Sequence, residues 1–120
     1  MRKVICLIMI ILMSAFILAK SEISKYYKAK GFTLYLADCI DFLAKFDKAS
    51  VAMIFADPPY NINLVKKTLI IISQYDILSP SGLLIIEHSA RESVPEVEGD
   101  LSLYKQKTYK KISVSIYRKK

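Results

Sequence analysis

Residues 51–60 read VAMIFADPPY, and this stretch decides the fold of the chain. Its first six residues are apolar without interruption, which is typical of a strand that a parallel sheet buries on both faces. The next four are Asp57, Pro58, Pro59 and Tyr60. Proline fixes φ near about −65° and has no N–H, so two prolines in a row make a stiff turn. We therefore predict a buried strand that ends in a rigid corner carrying a carboxylate and an aromatic ring.

Apolar patterns on both sides of this corner alternate between strand and helix. Runs of β-forming residues predict strands at 32–37 and 83–87. Apolar residues at helical spacing predict a short amphipathic helix at 38–46 and a longer helix at 62–77. This order is typical of an α/β sheet with helices on its faces.

The second half of the chain predicts a sheet that ends in antiparallel strands. Residues 80–82 are Pro-Ser-Gly, a turn in which the glycine is free to take a positive φ. Residues 91–100 are polar and predict a loop. Residues 101–109 and 112–117 alternate apolar and polar, which indicates an antiparallel pair at a sheet edge.

Composition limits the size and the partners of the protein. With 120 residues, 53% of them hydrophobic, the chain is long enough for one small domain. The net charge of +7 favours an anionic partner, and residues 101–120 carry much of the basic charge and no acid. Cys6 and Cys39 match no metal spacing and His88 is the lone histidine, so no metal site is expected. A disulfide is not expected either if the chain is cytosolic.

An apolar segment at residues 4–19 precedes the predicted sheet, with basic residues before and after it. As a helix it would measure roughly 24 Å, which is short of the roughly 30 Å hydrocarbon core of a membrane. It resembles a signal peptide or anchor that would contact a membrane. The alternatives are a buried core element or a displaced start of the coding frame. We therefore divide the chain into residues 1–20 and a domain at 21–120.

The rigid corner has a chemistry of its own. The Asp57 carboxylate and the Pro58 carbonyl can accept hydrogen bonds from the two N–H bonds of an exocyclic base amine. This favours the tetrahedral geometry in which the nitrogen attacks a methyl group. Tyr60 offers a flat face on which an unstacked base can lie, an interaction worth on the order of 1–3 kcal/mol. Catalysis would then be mainly positioning and electrostatics. Asp38 also follows a predicted strand and is expected at the same edge of the sheet as Asp57.

Several stretches resemble the RsmD-type methyltransferases, which use S-adenosylmethionine to methylate guanine N2 in 16S ribosomal RNA. The first is residues 36–43, LADCIDFL, and the second is residues 55–60, FADPPY. The third is residues 78–89, from LSPSGL to EHS. The basic terminal strands, with tyrosines at 109 and 117, also resemble that family. The Asp-Pro-Pro-Tyr motif alone is shared with adenine-N6 DNA methyltransferases, so it indicates the reaction better than the substrate.

The resemblance implies a Rossmann-like class I methyltransferase sheet, of which this chain has the C-terminal part. It implies that the corner, Asp57, Pro58, Pro59 and Tyr60, holds the target guanine. Asp38 and Cys39 would lie at the adenine end of S-adenosylmethionine. The partner would be ribosomal RNA or the small ribosomal subunit, in the cytoplasm. Residues of the basic tail would lie along RNA phosphates, namely Lys105, Lys107, Lys110, Lys111 and Arg118, with Lys119 and Lys120 beyond them.

The chain departs from the family at the cofactor half. It has three glycines and no Gly-x-Gly, where the family has a glycine-rich loop after its first strand. The family's sheet order, 3-2-1-4-5-7-6, has its first two strands between the ones predicted here at 32–37 and 51–56. Without them, central N–H and C=O groups need other partners. The flanking strands could pair directly, the apolar N-terminal segment could fill the gap, or a second polypeptide could complete the sheet.

Alternatives therefore stay open at this stage. The chain could be a guanine-N2 methyltransferase, a non-catalytic RNA-binding remnant of the fold, tethered to a membrane or not, or an adenine-N6 DNA methyltransferase. The candidate residues also have structural interpretations. Asp57 and Asp38 could cap helices, His88 could be a partly buried residue bonded to nearby backbone, and the basic tail could keep an edge strand soluble.

Overall fold

A mixed β-sheet forms the centre of the computed structural model, which describes residues 3–7, 24–29, 32–36, 42–58 and 63–120, the first three stretches as backbone. The helix α1 spans Leu64–Tyr75. The strands within the described residues are, in chain order, β1 (Lys3–Leu7), β2 (Ser24–Ala29), β3 (Phe32–Leu36), β4 (Val51–Ala56), β5 (Leu78–Ser89), β6 (Val97–Glu98), β7 (Leu101–Tyr109) and β8 (Ile112–Lys119).

The central sheet has the strand order β1-β4-β5-β8-β7-β6. Strands β1, β4 and β5 are parallel, and β8 is antiparallel to both of its neighbours, β5 and β7. The three parallel strands end on the same side of the sheet, which we call the carboxyl edge. The prediction of an α/β sheet that ends in an antiparallel strand pair is confirmed.

The strand beside β4 comes from the apolar N-terminal segment. Val4 pairs with Met53 and Leu7 with Ala56 in a parallel register. The backbone groups on that side of β4 therefore have partners, as a central strand requires. The rest of the segment, residues 8–20, lies outside the described residues. No helix in the described part of the chain is long and apolar enough to cross a membrane.

The strand predicted at 32–37 exists as β3, but the expectation that it belongs to the parallel sheet is wrong. It pairs antiparallel with β2 in a separate two-stranded sheet, with Phe32 opposite Ala29. Only residues 30 and 31 separate the two strands. A connection that short can join antiparallel neighbours, whereas parallel neighbours need a long crossover.

Helix α1 covers one face of the central sheet. Val65, Thr68, Leu69 and Ile72 are buried at the i, i+3, i+4 and i+7 spacing of an apolar helix face. Their apolar members join a core that also contains Leu43, Val51, Ile54, Ala56, Ile77, Leu78, Leu84, Ile86, Leu101 and Tyr117. The helix predicted at 62–77 is thus confirmed, but it is shorter than predicted. It begins two residues later and ends two residues earlier.

The turn predicted at residues 80–82 is a bulge within β5. The register with β4 shifts there, so that residues 79–82 bulge out between paired positions. Positive φ, expected at Gly82, occurs instead at Ser81, at 61°. Gly82 is required for a different reason, because a Cβ on it would lie 2.7 Å from the Ser79 carbonyl oxygen.

The second face of the central sheet is only half-buried. Neighbouring residues of a strand point to opposite faces, and Ile54, Ile86 and Tyr117 point into the core. The intervening residues form what we call the half-exposed face, which includes Met53, Phe55, Leu83, Ile85, Val114 and Ile116.

Candidate active site

The acidic end of the rigid corner lies at the carboxyl edge. Asp57 follows β4 directly and is half-buried, and Pro58 is buried. Because β4 lies between β1 and β5, the corner is in the interior of the sheet rather than at its margin. Pro59 and Tyr60 lie outside the described residues, so the stacking role of Tyr60 stays a prediction.

A second carboxylate, that of Glu87 on β5, lies beside Asp57. Ala56 pairs with Ile86 in the parallel register, and both are fully buried in the core. The next residue on each strand, Asp57 and Glu87, therefore points to the half-exposed face. Neighbouring strands are about 4.8 Å apart, so the two side chains are adjacent. Partial burial, and secondly the negative charge of Glu87, raise the pKa of Asp57 above its ordinary value.

Asp57 does not serve as a helix cap. Helix α1 begins at Leu64, and its N-cap residue is Asn63, which has a φ of 53° and makes no capping hydrogen bond with its side chain. Asp57 makes no hydrogen bond or ion pair with any residue that the structure describes. Its carboxylate is thus available as an acceptor for a bound group.

The basic residues of the terminal hairpin, Lys105, Lys107, Lys110, Lys111 and Arg118, are all exposed. Lys110 and Lys111 form the turn between β7 and β8, which lies at the carboxyl edge because the Ala90 N–H donates to the Lys111 carbonyl at 2.9 Å.

Lys107 lies in the same cross-strand row as the two carboxylates. It pairs opposite Val114, and Val114 pairs opposite Glu87. Three strand spacings separate Lys107 from Asp57, which is about 14 Å. Lys107 therefore lies on the same face of the sheet as the two carboxylates, two strands beyond Glu87.

Arg118 belongs to the opposite end of the hairpin. It pairs with Leu83, whereas Ile112 at the carboxyl edge pairs with Ser89. That offset corresponds to about 20 Å along the strands. Lys105 lies between the two ends, opposite Ile116. The basic residues predicted as one RNA-binding group are thus spread along the hairpin, and only some of them lie near Asp57.

The hairpin carries two exposed tyrosines: Tyr109, which belongs to the family resemblance described above, and Tyr104, which was not predicted as a site residue. The Arg118 guanidinium carbon lies 3.8 Å from the ring centroid of Tyr104, and the Lys107 ammonium lies 5.0 Å from that of Tyr109. The rings remain 58% and 54% exposed, respectively. Cations over exposed aromatic rings are typical of surfaces that bind single-stranded nucleic acid. The interleaving of tyrosine and lysine along residues 104–111 was the available signal.

Lys119 corrects part of the prediction for the basic tail. Its side chain donates to the Asp76 carboxylate and, at 2.8 Å, to the Leu78 carbonyl. It also lies 3.7 Å from the Asp100 carboxylate, and only 12% of it is exposed. Lys119 therefore holds β8 to the end of α1 and to the start of β5, and its ammonium group is engaged in contacts within the protein.

His88 is a structural residue, as its structural interpretation predicted, although it is fully rather than partly buried. One ring nitrogen, Nδ1, lies 2.9 Å from the Ser89 carbonyl, which can only accept, so Nδ1 carries the proton. Nε2 then accepts from the Ser115 hydroxyl at 2.7 Å, and Gln106 donates to that hydroxyl oxygen at 2.9 Å.

The predicted S-adenosylmethionine site is not among the described residues. Asp38 and Cys39, the residues predicted at its adenine end, lie outside them, and the sequence has no Gly-x-Gly to bring the backbone close to the methionine part. In the part of the chain that the structure describes, no group of three His, Cys, Asp or Glu side chains could hold a metal ion.

The sheet is that of the C-terminal part of a Rossmann-like methyltransferase. The chain belongs to the family described as Conserved hypothetical protein 95, the RsmD-type methyltransferases, whose model matches residues 14–118. Methyltransferases of this family generally use S-adenosylmethionine.

Among curated proteins, the chain is 37% identical over 67 residues to "Putative rRNA methyltransferase YlbH" of Bacillus subtilis. The match covers 56% of this chain and 36% of that protein. Over 41 residues it is 46% identical to "Type II methyltransferase M2.MboI" of Moraxella bovis, covering 32% of this chain and 15% of that protein. The chain therefore matches well under half the length of these relatives.

Two solved structures share the fold. "Putative methylase HI0767" of Haemophilus influenzae superposes with a TM-score of 0.59 at 23% identity, over 68% of this chain and 51% of that one. "Putative methyltransferase yhhF" of Escherichia coli gives 0.58 at 21% identity, over 70% and 46%. At such identities these structures support the fold alone.

Proposed function

We propose that this protein acts in the methylation of guanine N2 in small-subunit ribosomal RNA, with S-adenosylmethionine as the methyl donor. The observation that carries the proposal is the position of Asp57. In an RsmD-type chain, it lies at the carboxyl edge of an interior parallel strand, half-buried and without a hydrogen bond to any described residue.

The environment of Asp57 suits a base amine. Burial and the neighbouring Glu87 disfavour the charged form of its carboxylate, which is why its pKa is raised. Hydrogen bonds from an N–H group would offset that cost and strengthen as positive charge develops on the amine. The ring of the buried Pro58 fixes its φ and the following proline restricts its ψ, so its carbonyl would be held in place as a second acceptor.

The proposal that the substrate is RNA rests on the charge of the hairpin and on sequence similarity to a relative. Exposed lysines and one exposed tyrosine, Tyr109, flank the carboxyl edge on the terminal hairpin. YlbH carries rRNA in its name and is 37% identical over the matched residues. The methyl donor is proposed from the family, and we assign no residue of the described chain to it.

A non-catalytic RNA-binding protein is the second candidate. The specific observation in its favour is the missing glycine-rich motif, which the methionine part of the cofactor would need. An adenine-N6 DNA methyltransferase is the third, since the Asp-Pro-Pro-Tyr motif resembles that group as well and a type II methyltransferase is among the relatives.

Two measurements separate the candidates. Binding of labelled S-adenosylmethionine to the purified chain, followed by transfer of label to small ribosomal subunits, is expected for the enzyme and not for the RNA-binding remnant. Loss of guanine-N2 methylation in the small-subunit RNA of a deletion strain would support RNA over DNA as the substrate.

Asp57→Ala tests the role of the corner. We expect it to abolish methyl transfer while the chain stays folded and still binds the subunit, because the phosphate contacts that we propose lie on the terminal hairpin. Glu96→Ala, which removes an exposed carboxylate, is the matched control and should retain full transfer. Strong residual transfer in Asp57→Ala would contradict the proposal.

A further inference from the structure

Glu87 is a carboxylate at the candidate site to which neither the motif nor the family comparison gives a role. It follows the buried Ile86 in the same way that Asp57 follows the buried Ala56, and the parallel register places the two residues side by side. Both are half-buried on the half-exposed face at the carboxyl edge. A base held by Asp57 would thus have a second acceptor next to it.

The Watson–Crick edges of purines differ in a way that a second carboxylate can sense. Guanine presents two adjacent donors, N1–H and the N2 amine. Adenine and 2-aminopurine have an amine next to an N1 that is an acceptor. An ionised carboxylate can only accept, so it pairs with N1–H and is repelled by an N1 lone pair. Sites built to hydrogen-bond one group reject analogues that lack it, because their own polar groups are left unpaired.

We propose that Glu87 accepts the N1–H of the target base while Asp57 accepts from its N2 amine, so that Glu87 selects guanine. This inference rests on the proposed function, since it concerns the base that the same corner would hold. It differs from that function in assigning the discrimination between purines to a residue outside the Asp-Pro-Pro-Tyr motif.

The test consists of two thermodynamic cycles, each of which combines one change in the protein with one change in the base. Both measure binding alone, so they need no methyl donor. The probes are short uridine-rich RNAs that carry one central purine: guanine, 2-aminopurine, which lacks N1–H, or inosine, which lacks the N2 amine. Affinities are measured at low salt for the wild type, Glu87→Gln, Asp57→Asn and Glu96→Gln. Glu96→Gln is the matched control, because it changes the same charge at an exposed position away from the corner.

For the wild type we expect 2-aminopurine to bind about tenfold or more weaker than guanine, as for loss of a hydrogen bond to a charged group. In Glu87→Gln this ratio should fall to within about threefold, because an amide can also donate to N1. The ratio in Glu96→Gln should remain that of the wild type. Glu87→Ala, checked for folding by circular dichroism, should give the same loss of discrimination if the glutamine variant is unstable.

The two cycles distinguish a failure of the Glu87 inference from a failure of the proposed function. If Glu87→Gln keeps the full preference for guanine over 2-aminopurine while Asp57→Asn loses the preference for guanine over inosine, the role of Glu87 is overturned and the proposed function stands. If the wild type distinguishes none of the three purines, both the proposed function and this inference are overturned.

Discussion

Lys119, near the end of β8, donates a hydrogen bond to the Asp76 carboxylate just beyond the end of α1. This contact joins two elements that lie far apart in sequence, and it lowers the pKa of Asp76, first through the hydrogen bond and then through the positive charge of Lys119. A carboxyl whose pKa is depressed in the folded state stabilises the fold above its unfolded pKa, here about 3.8.

Acidification should therefore remove the contribution of this contact. As pH falls from just above 3.8 to below the folded pKa of Asp76, Asp76 takes up a proton and its stabilisation is lost. We expect Asp76→Asn to be less stable than the wild type near neutrality and to converge with it at low pH. Urea unfolding across this range measures the difference, with the exposed Asp47→Asn as control. A constant difference at all pH values would contradict the assignment.

Gly99 should be intolerant of any side chain. It has a φ of 58° in the turn between β6 and β7, and a Cβ there would lie 2.1 Å from the Ser73 hydroxyl oxygen. That hydroxyl donates to the Asp100 carboxylate at 2.8 Å, so displacing it breaks a second contact. We expect Gly99→Ala to cost about 1–3 kcal/mol from backbone strain alone, and more from the clash.

The two causes at Gly99 can be separated in a double mutant. Ser73→Ala removes the nearer clashing atom, the hydroxyl oxygen, and leaves the backbone strain and the Ser73 Cβ at 3.1 Å, so the cost of Gly99→Ala should be smaller in that background. Chemical denaturation of the four proteins gives the comparison. Equal costs in both backgrounds would mean that the clash contributes nothing.

The two faces of β5 should differ sharply in their tolerance of truncation. Ile86 is fully buried in the core, whereas its neighbour Ile85 points to the half-exposed face. Ile86→Ala should cost about 2–5 kcal/mol, since it leaves a cavity that the core cannot fill. Ile85→Ala makes the same chemical change and should cost clearly less. Similar losses of unfolding free energy would show that the half-exposed face is covered.

Strands with a local signal were predictable from the sequence. The alternation along β7 and β8 and the apolar run of β4 each depend on side chains within one segment, so their bounds came out within one or two residues. The sheet to which β3 belongs was not predictable, because it depends on pairing with β2, a stretch in which no strand was predicted. The bulge at 79–82 likewise exists only in register with β4.

The residues of the candidate site divide in the same way, into those with a local sequence signal and those whose position depends on strand pairing. Asp57 could be singled out because its motif is contiguous. Glu87 could not be, because its proximity to Asp57 follows from the parallel register of two strands separated by a helix. The role of Lys119 was also hidden, since Asp76 and Asp100, its carboxylate partners, lie well upstream in the sequence.

The division of the hairpin into two ends predicts which cations bind RNA phosphates. Lys107 and Lys111 lie toward the carboxyl edge, where the candidate base site is, while Lys119 is held by internal contacts. Each phosphate contact on a single strand contributes about 0.7 to the slope of log affinity against log salt concentration. Lys107→Gln and Lys111→Gln should each reduce that slope by about this amount. Lys119→Gln should leave it unchanged and lower stability instead. Lys66→Gln, on the exposed side of α1, serves as control. If the slope falls equally in this control, RNA binding depends on the overall positive charge of the protein and not on a strand bound along the hairpin.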